Sequence, residues 1–123
     1  MQSLFLAIGS GFGLLSVAFG AFGAHALRER LTPSELAVFQ TGVQYQMFHA
    51  LGLVGVGLWL QGHPAVPYVA GAGWLFSIGI LLFSGSLYTL TLTKIKKFGA
   101  ITPLGGVAFI VGWFLLLLSA LHA

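Results

Sequence analysis

The chain contains no cysteine and only two acidic side chains, Glu29 and Glu35. Without cysteine there is no disulfide framework, no thiolate metal site and no cysteine nucleophile. Charge of either sign is scarce: 6% of the 123 residues are charged, where about a quarter is usual for a soluble domain. Seven charged side chains do not keep a globule of this size in solution. The net charge of +3 sits in two short clusters rather than on a broad basic face, which argues against nucleic acid as a partner. No carboxylate falls inside an apolar run, so general acid–base catalysis and carboxylate proton relays lack their usual groups. Gly9-Ser10-Gly11-Phe12-Gly13 lies within an apolar run and lacks the strand-to-helix setting of a phosphate-binding loop.

What remains is hydrophobic. The chain is 58% apolar with a mean hydropathy of +1.00, the composition of an integral membrane protein. A membrane-spanning helix needs about 20 predominantly apolar residues. Four stretches qualify, 4–26, 43–60, 66–92 and 101–121, so the expected fold is an all-α, single-domain four-helix transmembrane bundle. Its links (27–42, 61–65 and 93–100) are mostly short, which makes neighbouring helices antiparallel. Ala24-His25-Ala26 resembles a signal-cleavage site, but no lysine or arginine precedes the run and Arg28 and Arg30 follow it. It reads as the end of a first span.

Arg28, Arg30, Lys94, Lys96 and Lys97 all fall in the first and third links. With four spans these links share one side, which the positive-inside rule makes cytoplasmic, leaving both termini outside. The same five cations are expected to contact lipid headgroups, at about 1 kcal/mol each on an anionic surface. The second helix is expected to start early. Thr32 is a suitable N-cap, Pro33 suits the first position and Glu35 completes a capping box. From Pro33 to Leu60 it would run about 42 Å, beyond the ~30 Å hydrocarbon core, so residues 33–42 should be interfacial, tilted or bent near Gly42. The fourth helix should open in the same way, with Thr102 capping and Pro103 behind it. Trp113 lies deep in the last span and is expected to be packed.

Small residues supply the packing code. Gly9, Gly13, Ser16, Gly20 and Gly23 recur every three or four residues, and Gly105, Gly112 and Ser119 every seven. Lipid offers no hydrophobic drive between helices, so close backbone approach over such residues holds a bundle together. It also leaves room for a homo-oligomer or for docking onto a larger membrane complex.

The candidate site is the polar cluster His25, Gln40, Thr41, Gln44, Tyr45, Gln46, His49, Ser84, Ser86 and Tyr88. Thr41, Tyr45 and His49 stack at i, i+4 and i+8, Gln46 flanks them, and Gln40 and Gln44 fall on a separate arc. Polar groups at membrane depth turn toward the bundle or a wet cavity. One reading makes them interhelical glue in a non-enzymatic structural or accessory protein. The other makes them a small-solute or proton path around His49, entered from the cytoplasm past Gln44, Tyr45 and Gln46. No metal or cofactor is expected. Two histidines without a third protein ligand make a poor zinc site, and bis-histidine haem needs them level across a gap. His63, beside Pro64, and His122 are expected in solvent.

Four blocks carry a resemblance: Gly20 to Leu27 (GAFGAHAL), Phe39 to Leu51 (FQTGVQYQMFHAL), Phe83 to Tyr88 (FSGSLY) and Ile101 to Gly106 (ITPLGG). In this order they resemble the small bacterial membrane family called domain of unknown function 423, whose eukaryotic relatives are called transmembrane protein 256. The likeness covers essentially the whole chain. It implies a small multi-helix inner-membrane protein and assigns no activity, ligand or catalytic residue.

Overall fold

The computed structural model describes residues 2–63 and 66–122. Pro64 and Ala65, in the expected outer link, lie outside the described residues. Helix α1 (Gln2–Ala18) passes through a π-helical turn (Phe19–Gly23) into the short α2 (Ala24–Leu27), so that one apolar rod results. Helix α3 (Pro33–Gly62) follows, then α4 (Val69–Thr93), a 3-10 turn (Lys96–Ala100) and α5 (Thr102–His122). There is no strand among the described residues.

Each long helix packs against the next, α1 on α3, α3 on α4 and α4 on α5, which makes an antiparallel four-helix bundle. Phe5 closes it at one end, crossing from α1 to stand edge-on to Trp74 of α4 at 5.1 Å between ring centroids. A core of Phe5, Leu53, Val56, Leu60, Val69, Phe76, Ile80 and Phe109 fills that half. A smaller cluster of Ala24, Leu31 and Phe39 occupies the other. Of the small residues expected to form one groove on the first rod, Gly9 and Ser16 are buried, while Gly13, Gly20 and Gly23 are not: a Cβ at Gly13 would meet nothing nearer than Ala50 Cβ at 4.0 Å. A Cβ at Gly9 would stand 2.8 Å from Ala50 O, so α1 meets the backbone of α3 there.

The start of α3 follows the sequence closely. Thr32 Oγ1 accepts from the Glu35 N–H at 3.2 Å, and the Thr32 N–H donates to Glu35 Oε1 at 2.9 Å. The helix then continues unbroken through Gly42 for 30 residues. The start of α5 differs from expectation. Ile101 O accepts the first helical N–H groups, from Leu104 and Gly105, so the cap sits one residue early. The Thr102 hydroxyl is instead 2.6 Å from Ser86 Oγ on α4. Helix α4 is bounded by two left-handed residues, Tyr68 (φ 73) before it and Lys94 (φ 60) after it.

Three stretches, Gln2–Leu27, Val69–Thr93 and Lys96–His122, are long and apolar enough to cross a membrane. Among the described residues α3 is not counted with them. Its length suffices, but Gln40, Gln44 and Gln46 in its first half and His49 just past its middle lower its hydropathy.

Candidate functional site

The geometry of α3 sorts its polar residues. A helix turns about 100° per residue, so Gly42, Gln46, His49, Leu53, Val56 and Leu60 lie within one arc. All six are buried between the neighbouring helices.

Gln46 is 2% exposed and uses both ends of its amide. Nε2 donates to Phe12 O on α1 at 2.9 Å, while Oε1 accepts from the Tyr88 hydroxyl on α4 at 2.6 Å. One side chain thus ties three helices. Tyr88 reaches Gln46 by lying over Gly42, where a Cβ would stand 2.9 Å from its Cε1. A turn earlier on α4, Ser84 Oγ donates to Gly42 O at 2.6 Å. Ser86 Oγ bonds to Phe83 O at 2.9 Å as well as meeting Thr102, linking α4 to α5.

His49 is 4% exposed, with both ring nitrogens engaged. Nδ1 is 2.7 Å from Tyr45 O, and Nε2 is 3.0 Å from Trp113 Nε1 on α5. An indole N–H only donates, so Nε2 accepts and the proton sits on Nδ1, where it donates to the carbonyl. This is a neutral imidazole held in a single tautomer. Phe109 stacks on it at 3.5 Å between centroids and 8° between planes, and Phe76 meets it edge-on at 5.2 Å. Beside this ring an open groove of about 730 Å³ runs between α3 and α5, lined by Tyr45, Phe48, Leu51, Phe83, Gly106, Ile110 and Trp113 together with His49 and Phe109. Its walls are aromatic and aliphatic. Gln44 and Gln46 do not line it.

The remaining members of the sequence-derived cluster lie apart. His25 is exposed on α2, where Arg28 Nη2 donates to its Nδ1 at 2.8 Å. Thr41 returns its hydroxyl to Ala37 O at 3.0 Å. Tyr45 packs on Phe83 at 4.6 Å between centroids and is partly exposed. Gln40 and Gln44 point outward from the bundle and are exposed. At the charged end Lys94 Nζ is 2.7 Å from Glu35 Oε1 and 3.4 Å from Arg30 O. That lysine, then the Thr32 N–H, hold the Glu35 carboxyl below its ordinary value. Arg28, Arg30, Lys96 and Lys97 are exposed.

Among the described residues no buried side-chain nitrogen or oxygen lacks a hydrogen-bond partner. Nor does any group of three or more His, Cys, Asp or Glu side chains gather to hold a metal ion. Trp113 as the partner of His49, the Phe12 carbonyl and the Glu35–Lys94 pair escape sequence reasoning. For Trp113 one signal exists, an indole N–H deep in an apolar span that needs an acceptor.

Comparison with known proteins adds a family. The profile of the family described as "Protein of unknown function (DUF423)" matches residues 19–106. The UPF0382 membrane protein YwdK of Bacillus subtilis is 48% identical over 119 residues, 97% of each chain. The UPF0382 membrane protein SH2409 of Staphylococcus haemolyticus is 46% identical over 118 residues, covering 96% of this chain and 95% of that one. The UPF0382 inner membrane protein YgdD of Escherichia coli K12 is 38% identical over 123 residues, 99% of this chain and 93% of that one. No solved structure matches.

Proposed function

We propose that this chain, which belongs to the DUF423 family of membrane proteins of unknown function, is a non-enzymatic structural or accessory bundle whose buried polar side chains fix the register of its helices. One observation carries this reading. Both amide atoms of Gln46 and both ring nitrogens of His49 are committed to neighbouring backbone or side chains. A histidine in that state has no lone pair free for a metal or substrate, and it passes a proton only by breaking a bond that holds the bundle. Interhelical bonds of this kind in membranes are worth about 0.6–2 kcal/mol each.

The alternative, a proton or small-solute path, requires His49 to exchange protons with water. Its surroundings are Phe76, Phe109 and Trp113, and the adjoining groove is apolar. Thermal unfolding in detergent, paired with flux measurements in vesicles, separates the two. Gln46→Leu and His49→Gln are expected to lower the melting temperature, and vesicles carrying the natural chain are expected to show no flux above lipid alone. A flux that His49→Ala removes while the melting temperature holds would overturn the structural reading.

We further propose that α3 crosses the membrane with the other three helices, with links 27–42 and 93–100 cytoplasmic and both termini outside. Two features support this. Helix α3 is packed on both sides by helices apolar enough to span, and Lys94 meets both Glu35 and Arg30 O, so the two positive links lie at one end of the bundle. The cysteine-free chain suits the test. With a membrane-impermeant maleimide, a single cysteine at His63 should label in intact cells and one at Ser34 only after the membrane is permeabilised. Labelling of both from the same side would refute the topology.

A further inference from the structure

Helix α3 has a third face that nothing in the bundle covers. Gln40, Gln44, Phe48, Leu51, Gly55 and Leu58 are all exposed and follow one another by steps of three and four residues. They form one straight seam along the helix. Its upper half is apolar, as lipid requires, but its lower half is not.

Glu35, paired with Lys94, marks the headgroup end of α3. Gln44 lies nine residues further on, about 13 Å along the axis at 1.5 Å per residue. Allowing about 5–7 Å for the headgroup layer, Gln44 stands just inside a hydrocarbon core about 30 Å thick, next to the cytoplasmic link that ends at residue 42. A primary amide facing lipid there carries two donors and an acceptor with no water to satisfy them, at substantial cost. Gln46, His49, Ser84 and Tyr88 on the inner arc are all hydrogen-bonded. The side chains of Gln40 and Gln44 meet no hydrogen-bond partner among the described residues. The bundle is complete in its interior and incomplete on this face.

We propose that the seam is the interface of a homodimer, in which α3 of one copy meets α3 of another and their Gln44 amides bond reciprocally. A carboxamide is its own complement, donor to acceptor and acceptor to donor, so it is satisfied across a two-fold axis by its own image. The membrane fixes the remaining geometry. Two copies inserted by the same charge rule point the same way, so their two-fold axis stands along the membrane normal. The two α3 helices then run parallel, with Gln44 level with Gln44 and Gln40 with Gln40. Steps of three and four are the repeat that keeps two parallel helices in contact along their length. At Gly55 the site of a Cβ has no heavy atom within 4 Å, which leaves space for a second helix to approach closely.

The test uses the full chain in proteoliposomes made from purified protein. With Leu51→Cys on the seam and Leu81→Cys on the outer face of α4 (both leucines exposed), mild oxidation should yield a disulfide-linked dimer from the first and not the second. Gln44→Leu should raise the dimer dissociation constant about tenfold or more, from the loss of two reciprocal bonds. Gln44→Asn should restore part of the affinity. The melting temperature of the monomer in excess detergent should not fall with Gln44→Leu, which separates a lost interface from a lost fold. Equal cross-linking at positions 51 and 81, or an unchanged dissociation constant in Gln44→Leu, would each overturn the proposal.

Discussion

At Gly105 α5 lies directly against the backbone of α4, and this contact offers a sharp test of how the bundle is held. A Cβ placed there would stand 2.7 Å from Phe83 Cβ and 2.8 Å from Phe83 Cα, and would also meet the Phe83 backbone nitrogen. The approach to the Phe83 backbone carbon is roughly 0.6 Å closer than ordinary van der Waals separation allows. Backbone in the middle of a helix cannot rotate aside as a side chain can, so Gly105→Ala must push the two helices apart. Its neighbour is the control, because a Cβ at Gly106 meets nothing within 4 Å. Both substitutions bring the same gain in helix propensity, about 1 kcal/mol. The difference between the two variants is therefore the overpacking cost alone, about 1–3 kcal/mol. At roughly 4 °C per kcal/mol for a chain of this size, the melting temperature of Gly105→Ala should lie about 4–12 °C below that of Gly106→Ala. Circular dichroism in one detergent at matched concentration measures it. Equal melting temperatures would show that α4 and α5 have room to spare, and the close-approach account would fall.

Other expectations follow from the site. In a double-mutant cycle, His49→Gln and Trp113→Phe should show a coupling of about 0.6–2 kcal/mol, and strictly additive losses would mean that their contact carries no stability. Because Lys94 and the Thr32 N–H lower the Glu35 pKa in the folded chain, the stability they supply is fully present above the ordinary value of 4.5 and is lost as the pH falls through the depressed folded value. The melting temperature of the natural chain should thus drop relative to that of Glu35→Gln only on acidification below about pH 4.5, and a gap that stays constant into that range would remove the pair from the account.

Much of the helix plan is legible in the sequence because it rests on local signals. Thr32, Pro33 and Glu35 announce the start of α3 within four residues, and the structure shows the reciprocal capping bonds. Thr102 and Pro103 carry a similar signal, yet the cap falls on Ile101 because the preceding 3-10 turn already delivers the chain in helical form. The polar site is legible only as far as one helix determines it. Gln44 and Gln46 differ by about 200° around α3, so one of them had to face outward. The period of the helix says so, but it cannot say that Gln46 reaches Phe12 O and Tyr88. Likewise His49 and Trp113 are 64 residues apart, and their meeting depends on how α5 settles against α3. The Phe12 carbonyl is invisible to any reading by residue type, since every residue carries one.

The π turn at Phe19–Gly23 has a consequence for timing along the first rod. Ser16 and Ala24 are both buried, yet eight residues separate them, which in an ordinary helix would set them about 80° out of step. A π turn takes up one residue more than an α turn, so the effective count is seven and the two side chains return to within about 20° of a common line. The turn works as a vernier. It lets Phe5, Gly9 and Ser16 mesh with α3 over most of the rod while Ala24 at the far end still comes round to the smaller core. A rod one residue too long for its partner has had its phase corrected rather than its length.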